Sequence, residues 1–363
     1  MSANGLPRLG SGAVVGLPRA LLHYELYPFW RVLFESLGLK VVVSPPTTRD
    51  LIEQGARRSV DEACLPVKAY YGHVMALRDR VDAVFLPRLV SLLRGTYTCP
   101  KLLGLPDMVR HNVGRLPPPI ILDFDETKRG SGLGDAALAL GPRLGRTGRQ
   151  ASEAVKAALE ALGVFRAALW AGLSFEEAAA RATQGPLADR PGGGPSGEAL
   201  RPPVRPTDWR EPAALNGRPR VALVGHAYNI FDPGVNLDLR RKLVGLGCHI
   251  LTSEMLSHEE VQAESEAMPK EIFWSSGRRI MAAVRRFRGA GFVDGIIHVI
   301  SFACGPDSMV GEIAERETRR ESALPYMVLT IDEHTAEAGL VTRLEAFADM
   351  LRRRRRKTGG EDP

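Results

Sequence analysis

Short β-branched segments alternate with amphipathic ones twice along this chain, and a stretch too rich in Gly and Pro to join either run separates the two. That pattern restricts the 363 residues to a two-lobed α/β architecture. In the first run, 13–16 reads as a strand and leads into a helix that reaches about residue 37. Gly38 then stands where a left-handed C′ residue is expected. Residues 39–44 form a β-branched strand closed by Pro45 and Pro46, 48–55 a short helix, 67–80 a longer one and 82–87 a buried strand. The second run has strands at 221–225, 249–252, 295–301 and 326–331, with helices near 238–246, 275–288, 308–320 and 339–352. Short apolar strands separated by helices imply parallel sheets, which bind ligands beyond the carboxyl ends of their strands.

Between the runs, 115–150 is a connection rich in Gly, Pro and Arg. A helical period returns over 151–183, with Ala154, Ala158, Leu162 and Phe165 on one face and a capping box from Ser174 to Glu177. Residues 185–219 contain 14 Gly or Pro in 35, the composition of a flexible linker. The expected organisation is an α/β lobe over 1–125, a helical connection and linker over 126–219, a second lobe over 220–351 and a disordered basic tail over 352–363. That tail carries six of the positive charges behind the net +6. Without it the body has 42 basic against 40 acidic residues, which argues against a nucleic-acid partner. No apolar run is long enough to span a bilayer, and the N-terminus lacks a signal-peptide pattern, so a cytoplasmic protein with reduced thiols is expected.

The chain has only four cysteines, and three sit within two residues of a proline. They are Cys64 in Glu-Ala-Cys-Leu-Pro, Cys99 in Tyr-Thr-Cys-Pro-Lys and Cys304 in Ala-Cys-Gly-Pro-Asp. A cysteine in such a turn is oriented and able to bind metal, although each alone also suits a structural thiol. Cys248, at the start of an apolar strand and without a proline, reads as a small buried hydrophobe. Zinc sites commonly use close Cys-x-x-Cys pairs, which are missing here. Iron–sulfur clusters commonly take four cysteines, so a set of three implies a histidine partner or one iron left open to substrate. Cys304 directly follows the 295–301 strand, and Cys99 follows the 82–87 strand after a loop, which puts both on a carboxyl rim.

Gly-Leu-Pro-Arg-Ala-Leu-Leu at 16–22, Val-Asp-Glu-Ala-Cys-Leu-Pro-Val-Lys at 60–68 and Tyr-Thr-Cys-Pro-Lys-Leu-Leu-Gly-Leu-Pro-Asp at 97–107 resemble the family related to 2-hydroxyacyl-CoA dehydratase and its activase. So do Val-Gly-His-Ala-Tyr-Asn at 224–229, Ser-Phe-Ala-Cys-Gly-Pro-Asp-Ser at 301–308 and the block at 331–347 that begins Ile-Asp-Glu-His-Thr. The likeness is to the activase-associated branch more than to the dehydratase subunits. It implies two flavodoxin-like or Rossmann-like lobes and a [4Fe–4S] cluster on Cys64, Cys99 and Cys304. It also implies a partner ATPase that delivers low-potential electrons, and radical dehydration or reduction of an acyl-CoA. The chain has no Walker A sequence, so that ATPase would be a separate polypeptide. Association as a homo- or heterodimer is expected.

Around these motifs, Glu333 and His334 are the candidate general acid/base pair, since a carboxylate beside an imidazole relays protons near neutral pH. Asp332 would cap their turn. Arg19, just beyond the first strand, is placed to meet an anion. Lys68, His226, Tyr228 and Asn229 complete the candidate substrate-binding set, and Glu62 and Lys101 flank the first two cysteines. Two other classes of function fit the same residues. One is a non-catalytic iron–sulfur carrier or regulatory partner of a dehydratase/activase complex, and the other is a metal-free ligand-binding protein.

Overall fold

The β-branched segments form two sheets of four strands, and all six strand pairings are parallel. The structure, a computed structural model, describes residues 9–184, 217–289, 291 and 293–358. These divide into two units, 9–63 with 67–184 and 64–66 with 217–358.

The first unit contains β1 (Val14–Leu17), α1 (His23–Ser36), β2 (Lys40–Val43), α2 (Arg49–Ala56), α3 (Leu65–Leu77), β3 (Ala83–Ser91) and the short α4 (Pro100–Leu103). It continues with α5 (Leu105–Asn112), β4 (Pro119–Asp125), α6 (Leu133–Arg143), α7 (Gly148–Trp170) and α8 (Phe175–Thr183). Its sheet runs β2-β1-β3-β4. The inner face of α1 buries Phe29, Trp30, Leu33 and Phe34, and the Trp30 ring lies 4.7 Å from Phe85 of β3 and 5.0 Å from Phe124 of β4. β4 falls in the stretch read from sequence as an uncertain connection. Three prolines, 117–119, obscure it, and Pro119 is tolerated because it opens an edge strand, where a missing N–H costs little. α6 to α8 pack as part of this unit, α7 lying along α1. The capping box from Ser174 to Glu177 opens α8 as expected, and Thr147 with Gln150 opens α7 in the same way. Most of the proposed linker, 185–216, lies outside the described residues.

The second unit contains β5 (Arg220–Gly225), α9 (Ala227–Phe231), α10 (Leu239–Gly245), β6 (His249–Thr252), α11 (His258–Glu266) and α12 (Ser275–Arg288). β7 (Gly295–Ser301), α13 (Gly305–Glu321), β8 (Tyr326–Ile331) and α14 (Glu337–Thr358) follow. The strand order, β6-β5-β7-β8, repeats that of the first sheet. α12 lays Ile280, Ala283, Val284 and Phe287 against Ala222, Val224 and Ile296. Cys248 is buried just before β6, and burial pushes its thiol pKa up. Residues 352–357, expected in a disordered tail, are the last turns of α14. Arg352 donates to the Leu246 carbonyl, and Arg355 donates to Asp294 at 2.8 Å, so these charges are tied to the fold and the helix persists. Among the described residues no helix is long and apolar enough to cross a membrane.

α2 and α3 cross with backbone touching backbone. A Cβ on Gly55 would lie 1.9 Å from the Lys68 carbonyl oxygen, and one on Gly72 would lie 2.0 Å from that of Leu51. Gly72→Ala should therefore force the helices apart and cost about 3 kcal/mol of stability, at the upper end of ordinary overpacking. Urea unfolding checks this, and an unchanged midpoint would contradict the close crossing.

Candidate functional site

In an order β6-β5-β7-β8 the strand order reverses between β5 and β7, and ligands of such folds bind beyond the strand ends at that switch point. There the second unit places His226, the residue after β5 and the N-cap of α9, and Cys304, the N-cap of α13 after β7. Gly225 makes the approach possible. Its φ is +154°, and a Cβ there would sit 2.6 Å from the Val299 carbonyl oxygen. On the other side, Ala303 holds a left-handed φ of 62°, unusual for a residue with a Cβ, immediately before Cys304.

The His226 Nε2 lies 3.1 Å from Asp307 Oδ1 and 3.9 Å from Cys304 Sγ, and all three side chains are buried. The Tyr228 ring stacks on the imidazole at 4.7 Å and 9°. Asn229 is fixed through its Oδ1, which accepts from Ser301 Oγ at 2.8 Å. Burial opposes a charge on His226, but the Asp307 carboxylate and the nearby Cys304 outweigh it and hold the imidazole pKa well above its ordinary value. Burial likewise opposes ionisation of Asp307, yet the His226 charge keeps its pKa below the usual carboxylate range. Asp307 also sits in the first turn of α13, where the helix dipole favours a negative charge. Behind the pair, burial pushes His298 down to about 4 despite the pull of Asp307, and its Nδ1 is 2.8 Å from the Tyr326 hydroxyl.

The 3.1 Å contact is an ion-pair distance without the alignment of a hydrogen bond. Asp307 Oδ1 thus gains no directed partner from it, and Asp307 Oδ2 and His226 Nδ1 are also buried without a hydrogen-bond partner. Unmet buried groups of this kind cost about 1–3 kcal/mol each. The imidazole nitrogen, thiol sulfur and carboxylate oxygen lie within 4.8 Å of one another, a donor set that suits a metal.

The three proline-flanked cysteines share a local geometry sharper than the turn expected of them, because each directly precedes a helix with Pro in its first two positions. Cys64 precedes α3 with Pro66, Cys99 caps α4 with Pro100, and Cys304 caps α13 with Pro306. Lys101, two residues after Cys99, donates to the main-chain carbonyl of Glu62, two residues before Cys64. Lys68 is buried within α3, and Arg19 lies after β1 with its N–H donated to Ser44 Oγ at 2.7 Å. Glu333 and His334 occupy the turn after β8, where His334 is exposed. Asp332 Oδ1 accepts from the His334 N–H at 3.0 Å and from Thr335 Oγ1 at 2.9 Å, the capping role foreseen for it. Asp307 was the residue to find from sequence. It stands three after Cys304 with Pro306 between, the position of a first-turn carboxylate.

The fold and this site define a protein of two parallel α/β units with a thiol, imidazole and carboxylate gathered at one switch point. Residues 14–256 match the family described as CoA enzyme activase uncharacterised domain, and the chain belongs to that family. The match places it at a coarse level in the activase/dehydratase-related group that its motifs resemble. The matched stretch includes Arg19, Cys64, Lys68, Cys99 and His226 to Asn229, and ends before Cys304, Glu333 and His334. No curated protein matches the chain.

A raised His226 stabilises the fold fully below its unfolded pKa of 6.5, and that contribution fades as pH rises through the elevated folded value. A lowered Asp307 contributes above its unfolded 3.8 and fades as pH falls through the folded value. Asp307→Asn, which leaves His226 buried without its counter-charge, should thus cost about 3–5 kcal/mol near pH 6 and less at alkaline pH, above the raised His226 pKa. Denaturant unfolding at the two pH values measures this, and an equal cost at both would contradict the charge assignment.

Proposed function

We propose that this chain is an iron–sulfur protein of the activase/dehydratase-related group, with Cys64, Cys99 and Cys304 as the thiolate ligands of a [4Fe–4S] cluster. The observation that carries this reading is the bond from Lys101 to the Glu62 carbonyl, which holds the Cys99 segment to the main chain two residues before Cys64. The shared helix-start geometry of all three cysteines supports it. When bound, such a cluster supplies low-potential one-electron chemistry. The chain's own residues set its surroundings. His226 keeps a positive charge beside the Cys304 sulfur, Asp307 balances that charge, and Tyr228 covers the imidazole face. In this reading the electrons come from a separate ATPase, and the substrate is an acyl-CoA or another small molecule that is dehydrated or reduced.

The buried set of His226, Cys304 and Asp307 favours a second reading, a single divalent metal such as zinc with an open coordination position. Metal analysis of anaerobically purified protein separates the two. The cluster reading predicts a brown protein with about four irons per chain. Iron should be lost in Cys64→Ala, Cys99→Ala and Cys304→Ala variants and kept in Cys248→Ala. One zinc per chain, sensitive to Cys304→Ala and Asp307→Ala but not to Cys64→Ala or Cys99→Ala, would establish the second reading instead.

A further inference from the structure

The first sheet has a switch point of its own, between β1 and β3; one cavity lies there and a second adjoins it, walled by α1, α8 and the end of β2. The inner one is a slot of about 30 Å³ lined by Leu17, Leu21, Trp30, Tyr70 and Phe85. The outer one, about 540 Å³, is lined by Arg19, Arg31, Phe175 and Glu176 among others. His23 and Tyr27 line both, so the two cavities adjoin at these rings. Leu21, in the loop that separates β1 from α1, holds a left-handed φ of 52°. Non-glycine residues keep such a conformation where packing over-determines it, and these positions cluster at ligand sites.

The charges at the mouth do not balance. Arg31 is engaged by Glu35 at 3.0 Å and by the Tyr27 hydroxyl at 2.7 Å. The Arg19 guanidinium has no acidic partner among the described residues, and Glu176 is the acid that shares the mouth with it. His73 is held between Ser44 Oγ at 2.8 Å and Thr47 Oγ1 at 2.9 Å, and that same Ser44 Oγ accepts the Arg19 N–H. Burial and the Arg19 charge lower both His23 and His73, the latter to about 3, so neither imidazole adds charge at neutral pH. In the slot, Trp30 Nε1 and the Tyr70 hydroxyl are buried without a hydrogen-bond partner.

We propose that the first unit binds a small organic monocarboxylate, its carboxylate on Arg19 and its short apolar body in the slot beside Trp30 and Tyr70. One unpaired guanidinium matches one carboxylate in a forked contact. A water needs about 10–15 Å³ of such volume, so the slot admits only a few non-hydrogen atoms and excludes a long chain or a fused ring. The proposal does not depend on the cluster reading.

Butyrate is the probe, with butyramide as its neutral counterpart and inorganic phosphate as a plain anion, tested on the full chain whatever its metal content. Butyrate should raise the melting temperature and change tryptophan emission, while butyramide and phosphate should do neither. Arg19→Met should weaken butyrate binding by about tenfold or more, the scale of a charge-assisted hydrogen bond. Arg19→Lys should fall between the two, and circular dichroism confirms that both variants are folded. Trp30→Phe should abolish the emission change while butyrate still raises the melting temperature. Equal binding of butyramide or phosphate, no response to butyrate, or an Arg19→Met variant that binds as well as the parent would each overturn the proposal.

Discussion

A carboxylate and an imidazolium buried side by side, Asp307 and His226, organise the second unit's strand ends. Neither charge is tolerable there alone. Truncating one partner of such a pair generally costs about 3–5 kcal/mol, because the survivor is stranded in a low-dielectric interior. The pair therefore constrains its neighbours. Gly225 must be glycine for β5 to deliver His226, α13 must begin at Cys304 for Asp307 to fall in its first turn, and Tyr228 must lie flat on the ring. The sulfur of Cys304 is held beside a positive charge as a consequence.

The two sheets have the same strand order, and their switch points differ in what lines them. In the second unit the switch point is polar and densely buried, built from thiol, imidazole and carboxylate. In the first it is an apolar slot, with a wider cavity beside it that Arg19 and Arg31 line. One architecture thus supplies two unlike environments, and the difference lies in the side chains that follow the first and third strands of each sheet. His226 and Cys304 take those places in one unit, and Arg19 follows the first strand in the other.

Much of the fold was legible because its strands announce themselves. Val41 to Val43, Val221 to Val224 and Ile296 to Ile300 are β-branched or apolar runs bounded by Gly or Pro, and a buried parallel strand reads that way. β4 was not, since three prolines mask an edge strand whose pairing, not its composition, defines it. The end of α14 was misjudged for a related reason. A run of arginines looks solvated until Leu246 and Asp294 are seen to receive them. At the site, proline spacing drew attention to Cys304, which lies beside His226 and Asp307, and the strand end drew attention to His226. Asp307 was hidden because its role depends on β5 and β7 being adjacent, a relation seventy-odd residues apart in sequence that only pairing in the sheet creates.

The most direct test of this account is the protonation state of His226, read by nitrogen NMR of the imidazole as pH is raised from about 6 to 10. The buried pair predicts that both ring nitrogens keep their protons well above pH 7, and that Asp307→Asn brings the transition down. A His226 ring already neutral at pH 7 in the parent protein would contradict it.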